Sequence, residues 1–246
     1  MPFFTIITIN LNNRQGLENT MKSVRNQAFH DFEYIVVDGI SSDGSLDVIE
    51  KNADLINKKI IEKDSGVYNA MNKGLAHASG EYILFLNSGD ELKHRESLQK
   101  INEKAGGNEL VYCDVDVFEG DNSVVKSHPD HLTTNYLLTE MICHQAVFAR
   151  KSLFERIGGF DESFKVYADY EWMLRAILMN QAATRHVGRV LVRYEAIGLS
   201  NTANKKLQRE EKDRIHDKYF NKAFVLVYRL YRSFNDWKDG VNYNES

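Results

Sequence analysis

Along the first half of the chain, runs of apolar residues alternate with segments in which apolar positions recur every three or four residues. Residues 3–9 are β-branched and aromatic and stop at Asn10, Asn12 and Asn13, which predicts a strand. Leu17, Met21 and Val24 follow at helical spacing and predict a helix over about residues 16–27. Residues 32–37 repeat the strand pattern and close on Asp38-Gly39. Ser41-Ser42-Asp43-Gly44 then offers turn and cap chemistry to a helix through Val48 and Ile49. That completes a βαβ unit. Residues 59–62 lead to Asp64-Ser65-Gly66, and residues 82–86 lead to Asn87-Ser88-Gly89-Asp90. Between them, Val67, Ala70, Met71, Gly74 and Leu75 predict a helix over 67–78. Continuous apolar strands separated by helices imply an α/β fold with a mostly parallel sheet covered on both faces. Ligands in such folds bind outside the carboxyl ends of the strands.

After a further strand over 110–117 the pattern changes, because Gly120-Asp121-Asn122 sits between two extended runs and reads as a hairpin turn. The sheet is expected to be mixed from there. Residues 169–178 begin with carboxylates and continue with Trp172, Met173, Ala176 and Ile177, which predicts a helix whose first turn faces the site. From Asn201 the chain is first charged, then amphipathic and basic-aromatic, then polar. The expected organisation is one α/β domain over 1–200 and a helical tail over 201–246. A length of 246 residues with 43% hydrophobic content suits a single sizeable core.

A net charge of -4 with mixed signs gives no reason to expect nucleic acid as a partner. Two cysteines, Cys113 and Cys143, without CxxC spacing, fit a reducing compartment such as the cytoplasm and argue against a thiolate metal site. The apolar start lacks a basic leader and reads as a strand rather than a signal peptide. No stretch approaches the roughly 20 apolar residues of a membrane span. Contact with a membrane would therefore be peripheral, on its inner face. The segment 224–234, with Val225, Leu226, Leu230 and Phe234 beside Arg229 and Arg232, suits either such a surface, packing on the domain, or a second copy in a homo-oligomer.

The strand ends supply Asn10, Asp38, Asp64, Asn87 and Asp90, which a parallel sheet gathers on one rim able to hold a nucleotide. With ITINLNNRQGL, VVDGISSDGS, DSGVYNAMNKGLAHASGEYILFLNSGDEL and GGFDESFKVYADYEWMLRA in this order, the sequence resembles the inverting family 2 glycosyltransferases of the nucleotide-diphospho-sugar transferase (GT-A type) superfamily. The resemblance runs from about residue 3 to residue 200. It implies a Rossmann-like GT-A domain that moves a sugar from a nucleotide-diphosphate donor, UDP first, to a hydroxyl of a glycan or lipid-linked acceptor. Capsule, exopolysaccharide or lipopolysaccharide assembly is the setting it suggests.

The resemblance also carries roles to residues. Asp38 matches the carboxylate that reads a pyrimidine base, while Thr8 and Asn10 would line base and ribose. Asp64, Asn72 and Lys73 match the stretch bracketing nucleotide and donor sugar. Asn87-Ser88-Gly89-Asp90 stands where the family carries an acidic metal motif, leaving Asp90 as the ligand for Mg²⁺ or Mn²⁺ with help from phosphates and water. Asn87 would be a donor-side contact. Asp114-Val115-Asp116 is a literal DxD but lies past that position, so its implied role is only that Asp114 borders the acceptor. His144 and Gln145 face the acceptor side, and Asp169 matches the base that takes the acceptor proton. Arg175 reads as a structural ion pair, and Gly198 and Ser200 match a loop over the diphosphate. A nucleotidyltransferase would want a Gly-rich phosphate loop after the first strand, which ITINLNNRQG lacks. The weakened metal motif leaves one alternative of another class, a catalytically inactive nucleotide-sugar-binding subunit.

Overall fold

The sheet is built outward from β1 (Phe4–Asn10), every residue of which is buried. The computed structural model describes residues 1–120, 122–196 and 204–238. After α1 (Arg14–Arg25), β2 (Phe32–Asp38) pairs in parallel with β1 so that Asp38 lies beside Asn10. Past α2 (Ser45–Lys51), β3 (Lys58–Ile61) adds to β2, again in parallel. The chain then crosses back through α3 (Val67–Leu75) to β4 (Tyr82–Phe85), which takes the other edge of β1. These crossovers are the expected βαβ units, and they bring the ends of β1, β2, β3 and β4 to one rim. α3 lies close against the sheet because Gly74 has no side chain: a Cβ there would stand 2.5 Å from Ile7 Cγ2.

Beyond β4 the pairing becomes mixed, as the hairpin signal implied. After the short β5 (Glu91–Leu92) and α4 (Ser97–Ala105), β6 (Leu110–Glu119) and β7 (Asn122–Lys126) pair antiparallel, with Glu119 opposite Asn122. α5 (Thr134–Thr139) and a 3₁₀ turn at His144–Ala146 precede β8 (Val147–Arg150), which bridges β4 and β6 in antiparallel fashion. α6 (Lys151–Ile157) and α7 (Ala168–Leu174) follow, the latter running on as a π-helical segment at Arg175–Met179. β9 (Thr184–Glu195) then returns parallel to β6, giving the strand order β3-β2-β1-β4-β8-β6-β9-β5. This strand was not foreseen. Its register against β6 shifts between Tyr112 and Asp114, where β9 advances from His186 to Val190, so no single alternation runs through it.

Two helices end the described chain, α8 (Lys205–Tyr219) and α9 (Lys222–Lys238). The expected boundary at 200/201 lies outside the described residues. α8 is fastened to the domain, since Ile215 is fully buried in the same core as the sheet. Its Glu211 carboxylate, 5% exposed, accepts from three successive backbone amides, Lys165 at 2.6 Å and Val166 and Tyr167 at 3.0 Å. That loop leads directly into α7. On α9, Arg232 and Arg229 turn inward to Asp213 at 2.9 and 3.3 Å, which leaves an outer face of exposed Phe224, Leu226, Val227, Leu230 and Tyr231. No helix among the described residues is long and apolar enough to cross a membrane.

Removing the Glu211 carboxylate strands three amide donors that only this group satisfies. Glu211→Ala is therefore expected to cost about 3 kcal/mol of unfolding free energy, and Glu211→Gln, which keeps one acceptor oxygen, distinctly less. Urea titrations of the two variants measure this. A loss below about 1 kcal/mol for Glu211→Ala would mean that water replaces the carboxylate there.

Candidate active site

A cleft of about 810 Å³ opens where the strand ends converge. Asn10, Asp64, Asn87 and Asp90 reach it from the ends of the parallel strands, and Tyr68 from the start of α3. His144 and Gln145 of the 3₁₀ turn and Asp169 of α7 face it from the opposite side. Its outer wall is α8, through Gln208, Lys212 and His216.

Asp169 is 6% exposed, and its two oxygens are held by donors from separate elements. Oδ1 accepts from the Tyr170 amide at 2.9 Å and, at 3.0 Å, shares the Tyr68 hydroxyl proton with the closer Val166 carbonyl at 2.6 Å, while Oδ2 lies 2.9 Å from Nδ1 of His144. Burial and the adjacent Asp169 charge push the Tyr68 phenol well above its ordinary value, so it keeps its proton and acts as a donor. On the far side of the His144 ring, Nε2 lies 3.2 Å from Nδ2 of Asn87. Facing the Asp169 carboxylate, Nδ1 carries the proton given to it. Burial acts to lower the His144 pKa, but the hydrogen bond and charge of Asp169, with the charge of Asp90, outweigh it and raise the ring above its usual value.

Asp90 has a different environment. It is 5% exposed and accepts at 3.0 Å from the Asn87 amide. Burial pushes it up to about 7, against the pull of His144, the Asn87 amide and Gln145, and the Glu195 charge adds to the rise. Beside it, Oδ1 of Asn87 is buried with no hydrogen-bond partner. An orphan carbonyl oxygen next to a reluctant carboxylate suits a hard cation, because both are oxygen donors and the cation would relieve both penalties. Among the described residues no group of three or more His, Cys, Asp or Glu side chains is arranged to hold a metal, so the remaining ligands would have to be substrate oxygens and water.

Other candidate residues sit behind the cleft wall. Asp38 is fully buried, and its carboxylate accepts from Nδ2 of Asn10 at 2.7 Å and from the Ser41 amide and hydroxyl at 2.7 and 2.8 Å. It thereby presents Asn10, which does line the cleft. Thr8 donates to the Leu86 carbonyl at 2.7 Å and accepts from Tyr34 at 2.8 Å, so it ties β1 to its surroundings without reaching the cleft. Asn72 binds the Phe160 backbone in both directions at 2.9 Å, and Lys73 pairs with Glu62 at 2.8 Å; neither lines the cleft. Asp114 is likewise outside it, accepting from the His128 amide at 2.8 Å and bridged to His186 at 2.9 Å, while its partner Asp116 pairs with Lys93 at 2.8 Å. Arg175 binds Glu171 at 3.1 Å and the Ile157 and Gly159 carbonyls, as a structural ion pair would. Gly198 and Ser200 lie outside the described residues.

Tyr68 and the α8 face escaped the sequence reading. Tyr68 stands one position into a helix read for its apolar spacing, and a phenol there gives no local sign that it will meet a residue 101 positions away. Gln208, Lys212 and His216 do recur every four residues, but within a segment so charged that the repeat looks like a solvated face.

Comparison with known proteins agrees with this arrangement. Residues 5–175 match the family model described as glycosyl transferase family 2. The chain is 34% identical over 236 residues to a PGL/p-HBAD biosynthesis glycosyltransferase of Mycobacterium bovis (strain BCG / Pasteur 1173P2), covering 93% of this chain and 86% of that protein. Among solved structures it is similar to S. aureus TarS 1-349 in complex with UDP-GlcNAc, with a TM-score of 0.69 at 20% identity over 88% of this chain and 71% of that one. It is also similar to the mannosyltransferase PcManGT from Pyrobaculum calidifontis in complex with GDP-Man and Mn²⁺, with a TM-score of 0.67 at 20% identity over 88% and 64% of the two chains. The ordered strand-end motifs, the GT-A architecture and a family match across most of the chain lead to one conclusion: this protein is a member of glycosyl transferase family 2.

Proposed function

We propose that the chain transfers a sugar, with inversion, from a UDP-linked donor to a hydroxyl of a glycan or lipid-linked acceptor in cell-envelope polysaccharide assembly. The observation that carries this reading is the Asp169 carboxylate, fixed by Tyr68, Tyr170 and His144 in the same cleft as the strand-end residues Asn10, Asp64, Asn87 and Asp90. The nucleotide half of the donor lies along the strand ends, with Asn10 held in place by Asp38 and with Asp64 at the start of the α3 crossover. Asp169 takes the proton of the acceptor hydroxyl as its oxygen forms a bond to the anomeric carbon. The bond from that carbon to the diphosphate breaks on the opposite face, and its electron pair leaves with the nucleotide. A cation bound by Asp90 and Oδ1 of Asn87 would offset the charge gathering on the diphosphate.

Relatives support the donor class: the TarS structure holds UDP-GlcNAc and the PcManGT structure holds GDP-Man with Mn²⁺. The name of the mycobacterial relative supports a biosynthetic role in glycan assembly. For a lipid-linked acceptor, the exposed apolar face of α9 is the part of the described chain best suited to the inner membrane surface, reached from the cytoplasm. The organised hydrogen bonding at Asp169 weighs against an inactive binding subunit, which has no use for a carboxylate so closely held.

Two outcomes test this reading. UDP-sugars should raise the melting temperature of both wild type and Asp169→Asn, while the variant loses transfer by about 10²–10⁴-fold. Near-normal turnover in Asp169→Asn would remove this residue as the base. Asp90 provides the second. A carboxyl raised from 3.8 to about 7 binds a proton in the folded state that the unfolded chain has already released, so stability falls as pH rises through that window. Asp90→Asn should therefore stabilise the unliganded protein by an amount that grows from about pH 4 to about pH 8, on the order of 2–4 kcal/mol at the upper end. For the same reason Mn²⁺ affinity, measured by calorimetry with UDP present, should rise with pH in wild type and be lost in the variant. An equal stability gain at both pH values would show that Asp90 is already ionised in acid.

A further inference from the structure

The inner face of α8 lies beyond the residues matched by the family model, yet it forms one wall of the cleft. Gln208, Lys212 and His216 are spaced four apart and so share that face. Each of them meets one of the two tyrosines that flank Asp169. The Tyr167 hydroxyl donates to Oε1 of Gln208 at 3.1 Å, and the Lys212 ammonium sits 5.0 Å from the centre of the Tyr167 ring. Nε2 of His216 is 3.2 Å from the Tyr170 hydroxyl. This is the acceptor side of the base, away from the donor.

Two groups on this wall lack the partners that their chemistry calls for. Lys212 is drawn into the cleft wall, but among the described residues no carboxylate forms an ion pair with it, and a ring face is its only direct electrostatic contact. Neighbouring cations are served otherwise: Lys126 pairs with Glu140 at 3.3 Å, Lys218 with Glu171 at 2.8 Å and Arg232 with Asp213 at 2.9 Å. Burial lowers the Lys212 pKa, and the charges of Arg232 and Lys126 act in the same direction against the pull of Glu140. His216 is 1% exposed, and its tautomer follows from its neighbour. The Tyr170 hydroxyl gives its proton to the Leu137 carbonyl at 2.5 Å, so Nε2 must be the donor between them, which leaves Nδ1 a bare acceptor. That Nδ1 is buried without a hydrogen-bond partner. Burial, with the Lys212 and Arg232 charges, pushes His216 down to about 4, so the ring is neutral at physiological pH.

We infer that this face of α8, together with Tyr167 and Tyr170, is an acceptor subsite for a saccharide bearing an anionic group. Lys212 pairs with the anion and Tyr167 offers a ring face to the sugar, while the neutral His216 ring backs Tyr170. The anion is a carboxylate, as on a uronic acid, or a phosphate, as on a sugar phosphate or lipid diphosphate. The inference rests on reading the cleft as a transfer site with Asp169 as base. It supplies what the wall lacks: a half-buried ammonium with no ion-pair partner among the described residues lies open to an anion that reaches it through the cleft.

Binding by calorimetry, without and with saturating UDP, tests it using three probes: methyl glucuronide, N-acetylglucosamine 1-phosphate and neutral methyl glucoside. With UDP in the diphosphate site, wild type should bind at least one anionic probe about tenfold more tightly than the neutral one, and which one identifies the source of the anion. Lys212→Met should erase that preference while leaving methyl glucoside and UDP binding unchanged, and Lys212→Arg should restore most of it. Equal affinities for charged and neutral probes in wild type, or a preference surviving in Lys212→Met, would overturn the inference. UDP binding in the same samples keeps the two readings apart. Its absence counts against the donor assignment, whereas normal UDP binding with no anion preference counts against the α8 subsite alone.

Discussion

A carboxylate taken out of water must be repaid in hydrogen bonds, and the arrangement around Asp169 is organised by that requirement. Its donors come from the first turn of α3, from the 3₁₀ turn before β8 and from the backbone of α7. None of these is near Asp169 in sequence except the last. They meet only because α3 is a crossover lying flat on β1 and because β8 runs antiparallel beside β4, setting the 3₁₀ turn over the same rim. The sheet order is thus the condition for the site, and the site sits where the parallel half of the sheet meets the mixed half.

Asp90 shares the cleft and the burial but not the donors. The His144 charge, a backbone amide and Gln145 are too little to offset its burial, so two acids lining one cleft have different surroundings. One is fixed and supplied with donors; the other is left wanting positive charge, beside an amide oxygen that also has no partner. This difference comes from environment, since the two residues are chemically the same.

Much of this was legible in the sequence, for a definite reason. β1, β2, β3, β4 and their crossovers are local patterns: apolar runs ending in Asn or Asp, then helical spacing, with nothing needed from afar. The strand-end residues Asn10, Asp64, Asn87 and Asp90 could therefore be placed on one rim by counting. What escaped depended on tertiary events. Asp38 and Thr8 lie at the right strand positions, but their side chains turn to partners inside the rim, a choice set by Ser41 and Tyr34. β9 hid behind a bulge that breaks its alternation. Asp114-Val115-Asp116 was rightly kept apart from the metal position, but Asp114 was expected beside the acceptor and instead lies outside the cleft, paired with His186 as Asp116 is with Lys93.

The C-terminal helices show why composition misleads most at the edge of a fold. A segment as charged as KKLQREEKDRIHDKY reads as a solvated appendage, yet charge on a helix is only a cost if it goes unpaired. Here Glu211 spends its charge on three amides of the loop entering α7, and Lys218 spends its own on the buried Glu171 within α7. The polar residues of α8 thus fasten the helix to the element that carries Asp169. A helix fixed in that way holds the far wall of the cleft at a set distance from Asp169, so the side chains it turns inward are as firmly placed as those on the sheet. On so firmly held a surface Lys212 has a tyrosine ring beside it and, among the described residues, no carboxylate paired with it, unlike Lys218 on the same helix.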